Sequence, residues 1–204
     1  MRVKPNYFTI DNYSDDCPTL TRIDYTQSVP IWSFDLRPKI DPSDIKRKML
    51  DYAAKFPDIK PQAGTPVRAS WTTDLYVAKR TNDFDQLVNE IVNQCKKICA
   101  DPSLNWHVGE TWCTMYKTFD NVLRHNHGAC TLVGVYYAEA DNASPIVLDA
   151  YKITPQAGTV LVFPGFLDHK VQTSSLSNGS RSIFGCNIYM TVDIDQSYKK
   201  SLEQ

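Results

Sequence analysis

Short apolar segments separated by turns fill the second half of this 204-residue chain. From Trp106 onward, residues that favour strands come in runs of a few residues each. Seven strands are predicted: Glu110 to Tyr116, Val122 to His127, Thr131 to Ala138, Ile146 to Tyr151, Thr159 to Pro164, His169 to Thr173 and Ser182 to Val192. So many strands at short spacing favour a barrel or jelly roll over parallel βαβ units.

The first half of the chain carries two predicted helices. Asp41 followed by Pro42 is typical of a helix start, and apolar residues continue at helical spacing to about Phe56. A second apolar stripe predicts a helix from about Asp83 to Ala100. The prediction is an α+β fold in one domain, 1–204, with helices and N-terminal strands in 1–105 supporting a β core in 106–195.

Composition excludes several classes of function. Twenty-two basic and 23 acidic residues leave a net charge of −1, so nucleic acid is not an expected partner. No apolar segment approaches the roughly 20 residues of a membrane span, and the first residues lack the apolar core of a signal peptide. We therefore expect a cytoplasmic protein. The six cysteines are scattered and form no C-x-x-C pair, which argues against a disulfide framework.

Three of the four histidines fall where strands begin or end. His125 and His127 stand one residue apart directly before the apolar run that leads to Tyr137. Residues i and i+2 of a strand point to the same face, so both imidazoles can reach one point. His169 follows a strand and the turn at Pro164, and could bring a third nitrogen to that point. Such a cluster has the geometry that a metal ion needs.

These strings resemble the Fe(II)/2-oxoglutarate-dependent dioxygenases, especially their prolyl hydroxylase branch. The proximal string is Val122-Leu-Arg-His-Asn-His, the strand after it contains Val135-Tyr-Tyr, and the distal string is His169-Lys-Val-Gln with Arg181 beyond. The second half is also similar to a 2-oxoglutarate/Fe(II) oxygenase family common in phages and bacteria, which shows H-x-H, a GVYY strand and an F-P-x-x-x-x-H turn. The resemblance extends over Trp71 to Tyr189.

The resemblance implies a double-stranded β-helix, a cupin-like jelly roll, that holds Fe(II) through His125, His127 and His169. It implies that Arg181 pairs with the far carboxylate of 2-oxoglutarate, assisted by a tyrosine hydroxyl, with Tyr137 as first choice and Tyr116 as second. The implied activity is hydroxylation of a peptide residue, prolyl or other, or of a small molecule, with O₂ as cosubstrate and succinate and CO₂ as products. A phage-encoded protein in a bacterial host fits the same resemblance.

One position departs from the family pattern. His127 occupies the place where H-x-D/E has its carboxylate, so the implied ligand set is one negative charge short. Alternatively a carboxylate from elsewhere completes the site, for which Glu139 and Asp149 lie in the right region.

Two other functions stay open at this point. A cupin-type three-histidine metalloenzyme without an oxo-acid cosubstrate also uses H-x-H and a distal histidine, but it leaves Arg181 without a role. A non-catalytic β-barrel module of a phage or bacterium is the other alternative.

Overall fold

The computed structural model describes residues 7–9, 26–57, 66–99, 101–117, 120–141, 143–149, 151–171 and 179–192. The helices are α1 (Pro42–Lys55), α2 (Val77–Arg80) and α3 (Asp85–Ile98), with a 3-10 turn at Asn82–Phe84. The strands are β1 (Tyr7–Thr9), β2 (Thr26–Ser28), β3 (Trp32–Asp35), β4 (Val67–Arg68), β5 (Trp71–Thr72), β6 (Leu104–Tyr116), β7 (Asn121–His125), β8 (Leu132–Asp141), β9 (Ile146–Leu148), β10 (Tyr151–Ile153), β11 (Thr159–Pro164), β12 (His169–Val171) and β13 (Ser180–Val192).

Two antiparallel sheets form the body of the fold. The larger sheet has the order β3-β11-β8-β13-β6-β5 and the smaller one β10-β9-β12-β7-β4. From β6 to β13 the chain passes back and forth between the sheets, as in a jelly roll, with the hairpin of β9 and β10 in the smaller sheet. Strands β3, β4 and β5 of the first half complete the sheet edges. The predicted double-stranded β-helix with supporting helices is confirmed. The predicted end of the β core at 195 lies outside the described residues.

The helices cover the outer face of the larger sheet. Helix α1 begins as predicted, with the Asp41 carboxylate accepting a hydrogen bond from the Ser43 amide at 2.9 Å. Helix α3 begins at Asp85 and not at Asp83, because the 3-10 turn precedes it. Met49 and Ile91 have no exposed surface and pack in the apolar layer between helices and sheet. No helix in the described ranges is long and apolar enough to cross a membrane.

A second apolar cluster fills the space between the two sheets. The two faces of strand β8 contribute to different apolar clusters. Val133, Val135 and Tyr137 belong to the cluster between the sheets, whereas Leu132 and Tyr136 belong to the cluster that faces the helices. This is the period of two that a strand buried on both faces must have. The inner side of β8 therefore faces the space in which the histidines lie.

Candidate functional site

His125, His127 and His169 converge between the two sheets. His125 is the last residue of β7 and His169 the first of β12, and the two strands pair with His125 opposite His169. One nitrogen from each of the three rings can be chosen so that all lie within 4.8 Å of one another. Among the described residues this is the cluster of histidine, cysteine or carboxylate side chains that could hold a metal ion.

A turn, and not strand alternation, brings His127 to the cluster. The predicted strand through His127 was too long, because β7 ends at His125. The His127 amide donates a 2.7 Å hydrogen bond to the Gly165 carbonyl, which ties this turn to the one between β11 and β12. The loop that carries His127 is thereby fixed to the strand pair that carries His169.

Backbone carbonyls orient two of the three rings. Nδ1 of His125 lies 2.8 Å from the Leu123 carbonyl, and Nδ1 of His169 lies 3.2 Å from the Leu167 carbonyl. A carbonyl oxygen can only accept a hydrogen bond, so Nδ1 carries the proton in both His125 and His169. Nε2 of each ring then keeps its lone pair and can bind a metal ion.

Burial keeps the cluster uncharged. It lowers the pKa of His127 to about 4 and that of His169 to about 3, and the neighbouring His125 ring lowers both further. The pKa of His125 is also lowered, again mainly by burial. All three rings are therefore neutral near pH 7, the state in which imidazole binds a metal ion.

The cluster opens into a cavity that Arg181 also lines. Its walls are mostly apolar and include Val133, Val135 and Ile183 from the larger sheet. A concave, largely apolar space with a few convergent polar groups is the usual form of a small-molecule site.

Arg181 is a buried cation without an acidic partner among the described residues. The side chain is 4% exposed, and its guanidinium carbon lies 4.1 Å from the centre of the Tyr116 ring. Nη1 donates a long 3.4 Å hydrogen bond to the Ser144 carbonyl, while Nε is buried without a hydrogen-bond partner in the described part of the chain. Since a buried charge is costly unless paired, this guanidinium is suited to bind an anion that enters the cavity.

Both predicted tyrosines lie beside Arg181 in the cavity wall. Tyr116 and Tyr137 line it together, whereas Tyr136 packs on the helix-facing side. Burial raises the pKa of Tyr116, and it raises that of Tyr137 to about 12. Each hydroxyl therefore stays protonated and can donate a hydrogen bond to an anion.

The two alternative carboxylates are not part of the histidine cluster. Glu139 forms an ion pair with Lys46 of α1 and accepts a 2.8 Å hydrogen bond from Ser182. Asp149 lies 3.8 Å from Arg124. Neither is among the residues that could share a metal ion with the histidines, so the cluster consists of imidazoles alone.

Sequence analysis missed Trp112. Its ring stacks on His127, with centroids 5.4 Å apart and planes 7° apart. Gly185 makes room for it, because a Cβ at that position would lie 2.3 Å from Cε2 of Trp112. Strand alternation is the signal that could have found this residue, since Trp112 and Tyr116 share one face of β6.

The comparisons with known proteins support the fold. Neither the protein-family models nor the curated sequences match the chain. Solved structures do. The viral collagen prolyl hydroxylase of Paramecium bursaria Chlorella virus-1, determined with 2-oxoglutarate, is 17% identical with a TM-score of 0.54, covering 79% of this chain and 96% of its own.

Two further structures have the same fold. A prolyl-4-hydroxylase of Pseudomonas putida is 13% identical with a TM-score of 0.56, over 79% of this chain and 93% of its own. The non-heme α-ketoglutarate-dependent carbocyclase SnoK of nogalamycin biosynthesis is 10% identical with a TM-score of 0.60, over 84% of this chain and 85% of its own. The protein thus has the double-stranded β-helix fold that these oxygenase structures share.

Proposed function

We propose that the protein is an Fe(II)- and 2-oxoglutarate-dependent dioxygenase that hydroxylates its substrate. The observation that carries this proposal is the presence of two complementary features in one cavity: a cluster of three neutral histidines and a buried guanidinium for which the described part of the chain offers no acidic partner. A 2-oxo diacid has one end that chelates a metal ion and a carboxylate at the other end, so it matches both features.

The donor set fits iron. Imidazole suits Fe, Zn, Cu and Ni, and three ligands on one side of an ion leave the remaining positions open for a bidentate oxo acid and O₂. His125, His127 and His169 would be the ligands. Because no carboxylate joins them, we expect weaker iron binding than at a site with two histidines and a carboxylate.

The chain's own side chains would bind and orient the cosubstrate. Arg181 would pair with the far carboxylate of 2-oxoglutarate, and Tyr137, or failing that Tyr116, would donate a hydrogen bond to it. The apolar walls formed by Val135 and Ile183 would exclude water from the bound oxo acid. When bound, iron and 2-oxoglutarate supply the oxidation: one oxygen atom of O₂ enters a substrate C–H bond, and the other enters succinate as CO₂ leaves.

A peptide is the substrate class that we favour, because the proximal and distal histidine strings resemble those of prolyl hydroxylases. The fold alone does not choose a substrate, since its solved relatives include both prolyl hydroxylases and SnoK.

The cupin-type alternative is less well supported because of Arg181. A three-histidine metalloenzyme without an oxo-acid cosubstrate has no use for a buried cation in the wall of its metal cavity. The same residue argues against a non-catalytic barrel, since burying an unpaired charge lowers stability without a ligand to compensate.

The test is an anaerobic titration of the metal-free protein with Fe(II) and then 2-oxoglutarate, followed by the visible charge-transfer band of an iron-bound oxo acid. We expect the band in the wild type, no band in His125→Ala, and a band only at much higher 2-oxoglutarate concentration in Arg181→Ala. Iron binding without a band at any concentration would favour the cupin-type enzyme. A wild type that binds no metal would favour the non-catalytic module.

A further inference from the structure

One carboxylate connects the two segments that carry the histidines. Oδ2 of Asp168 accepts a 2.8 Å hydrogen bond from Nε of Arg124, and Oδ1 accepts a 2.8 Å hydrogen bond from Nδ2 of Asn126. Asp168 directly precedes His169, and its two donors flank His125 in the chain. A single side chain therefore links the residues next to both of these histidines.

A β-bulge lies in the same place. His125 pairs with His169, but Val122 pairs with Val171, so β7 has one residue more than β12 over this stretch. Both Val122 and His125 line the cavity, although residues three apart point to opposite faces of a regular strand. Because a bulge disrupts the ladder locally, bonds from a side chain such as Asp168 contribute more to the position of His125.

The main chain of Asp168 is held as well. Its carbonyl accepts a 2.9 Å hydrogen bond from the amide of Asp149, which follows β9. Asp149 has a φ of 49°, a left-handed conformation that aspartate adopts more readily than most residues. Its Oδ1 lies 3.8 Å from Nη2 of Arg124. The connection between β7 and β12 therefore extends to the end of β9.

The stability of the whole fold does not account for this network. The Arg124 side chain is 63% exposed and that of Asp168 is 34% exposed, and exposed ion pairs contribute little to the free energy of unfolding. The hydrogen bond from Asn126 is not an ion pair, and this residue stands between His125 and His127. The two bonds fix both oxygens of one carboxylate, and with them the local geometry on either side of His125.

We infer that Asp168 is a positioning residue, which holds His125 and His169 at the spacing that a metal ion requires before the ion binds. Asp168 does not belong to the group of side chains that could share the ion, so it acts through Arg124 and Asn126. Metal sites depend on such outer contacts, because a ligand that is already in place loses less freedom when the ion binds. The inference rests on the proposed function only in that it assumes a metal ion at the three histidines.

The experiment combines a metal-free measurement with a metal titration on the full chain. Amide hydrogen exchange of the metal-free protein follows the His127 amide, whose bond to the Gly165 carbonyl joins the two turns. Co(II) titration gives the affinity and the visible spectrum of the site. Asp168→Asn is isosteric, but one of its two acceptors becomes a donor, so it can no longer accept from both Arg124 and Asn126.

An exchanged pair separates positioning from general destabilisation. Asn126→Asp alone places two carboxylates against each other. Combined with Asp168→Asn, it exchanges amide and carboxylate: the new amide donates to the new carboxylate, and its oxygen still accepts from Arg124. The matched control is Asp120→Asn, which removes a carboxylate that accepts from the amide and hydroxyl of Ser70 near the other end of β7.

We expect Asp168→Asn and Asn126→Asp each to lower Co(II) affinity about 10-fold, to alter the Co(II) spectrum and to speed exchange of the His127 amide about 10-fold. The exchanged pair should return affinity and exchange to within about threefold of the wild type. Asp120→Asn should leave the Co(II) affinity and spectrum unchanged.

Wild-type affinity and exchange in Asp168→Asn, or a folded exchanged pair that binds Co(II) no better than the single variants, would overturn the inference. If Asp168→Asn does not fold, Asn126→Ala removes one donor from an exposed side chain and carries the same expectation. The expected pattern in a protein that binds Co(II) but forms no complex with 2-oxoglutarate would uphold the inference and contradict the proposed function instead.

Discussion

The central carbon of the Arg181 guanidinium lies over the Tyr116 ring, 4.1 Å from the ring centre. Residues 116 and 181 are directly paired on β6 and β13, so the contact follows from strand register. The ring face stabilises the cation without neutralising it. The arrangement leaves the positive charge of Arg181 available to bind an anion in the apolar cavity.

Replacing Arg181 should separate cosubstrate binding from metal binding. Arg181→Lys keeps the charge but loses the two-pronged geometry, so we expect 2-oxoglutarate affinity to fall about 10-fold. Arg181→Met should lower it by more than about 100-fold because no cation remains. Metal affinity in the absence of the oxo acid should not change, and calorimetric titration measures both quantities. An equal loss of metal affinity would show that Arg181 supports the site structurally.

The two tyrosines beside Arg181 should contribute differently. Tyr137→Phe should weaken 2-oxoglutarate binding about 5- to 10-fold through the loss of one hydrogen bond. Tyr116→Phe should have a smaller effect, since phenylalanine keeps an aromatic face under Arg181. The charge-transfer titration measures both, and the reverse order would assign the cosubstrate hydroxyl to Tyr116.

Metal binding should stabilise the fold through the histidines alone. A divalent metal ion at about 100 times its Kd adds about 2.7 kcal/mol, which for a protein of this size corresponds to a rise of roughly 5–10 °C in Tm. His125→Ala should abolish the rise. His107→Ala, which changes an exposed histidine outside the cluster, should leave it intact. A rise that persists in His125→Ala would mean that the metal ion binds elsewhere.

Gly185→Ala tests whether Trp112 positions His127. The added methyl group would lie 2.3 Å from the indole, so the ring must move away from its stacked position. We expect about 1–3 kcal/mol of destabilisation, a shifted tryptophan fluorescence maximum and weaker metal binding. Gly128→Ala is the matched control, because its nearest neighbour is 3.6 Å away. Unchanged metal affinity in a folded Gly185→Ala protein would remove Trp112 from the site.

Glu139→Gln should change the pH dependence of stability and not the metal site. Burial raises the pKa of Glu139, but hydrogen bonds from Lys46 and Ser182 outweigh it, and the net shift is below the ordinary 4.5. A carboxyl group with a lowered pKa stabilises the fold above its unfolded pKa, and this contribution is lost as the pH falls through its folded pKa. The variant should therefore lose about 1–2 kcal/mol at pH 7 and show a flatter unfolding profile between about pH 5 and pH 3.

Asp51→Asn is the control for this prediction, because Asp51 pairs with Arg47 on the exposed side of α1. Chemical unfolding at several pH values measures the profile for both variants. Weaker metal binding by Glu139→Gln would contradict the placement of Glu139 outside the site.

The sequence by itself predicted the fold class, which is confirmed, and the members of the candidate site. The short apolar runs of β8 and β11, the helical stripes along α1 and α3 and the histidines at strand ends are local patterns, and local patterns are set by backbone geometry. His125, His127, His169, Arg181 and both tyrosines could be selected in this way, together with their resemblance to oxygenase strings.

Tertiary structure decided how those residues meet. The turn that brings in His127 depends on a hydrogen bond to Gly165, which is distant in sequence, and the His127 ring stacks on Trp112 of β6. The exclusion of Glu139 from the site depends on Lys46 of a helix on the outer face. Register, bulges and ion pairs between distant segments are properties of the assembled sheets, and a single sequence does not encode them as a local pattern.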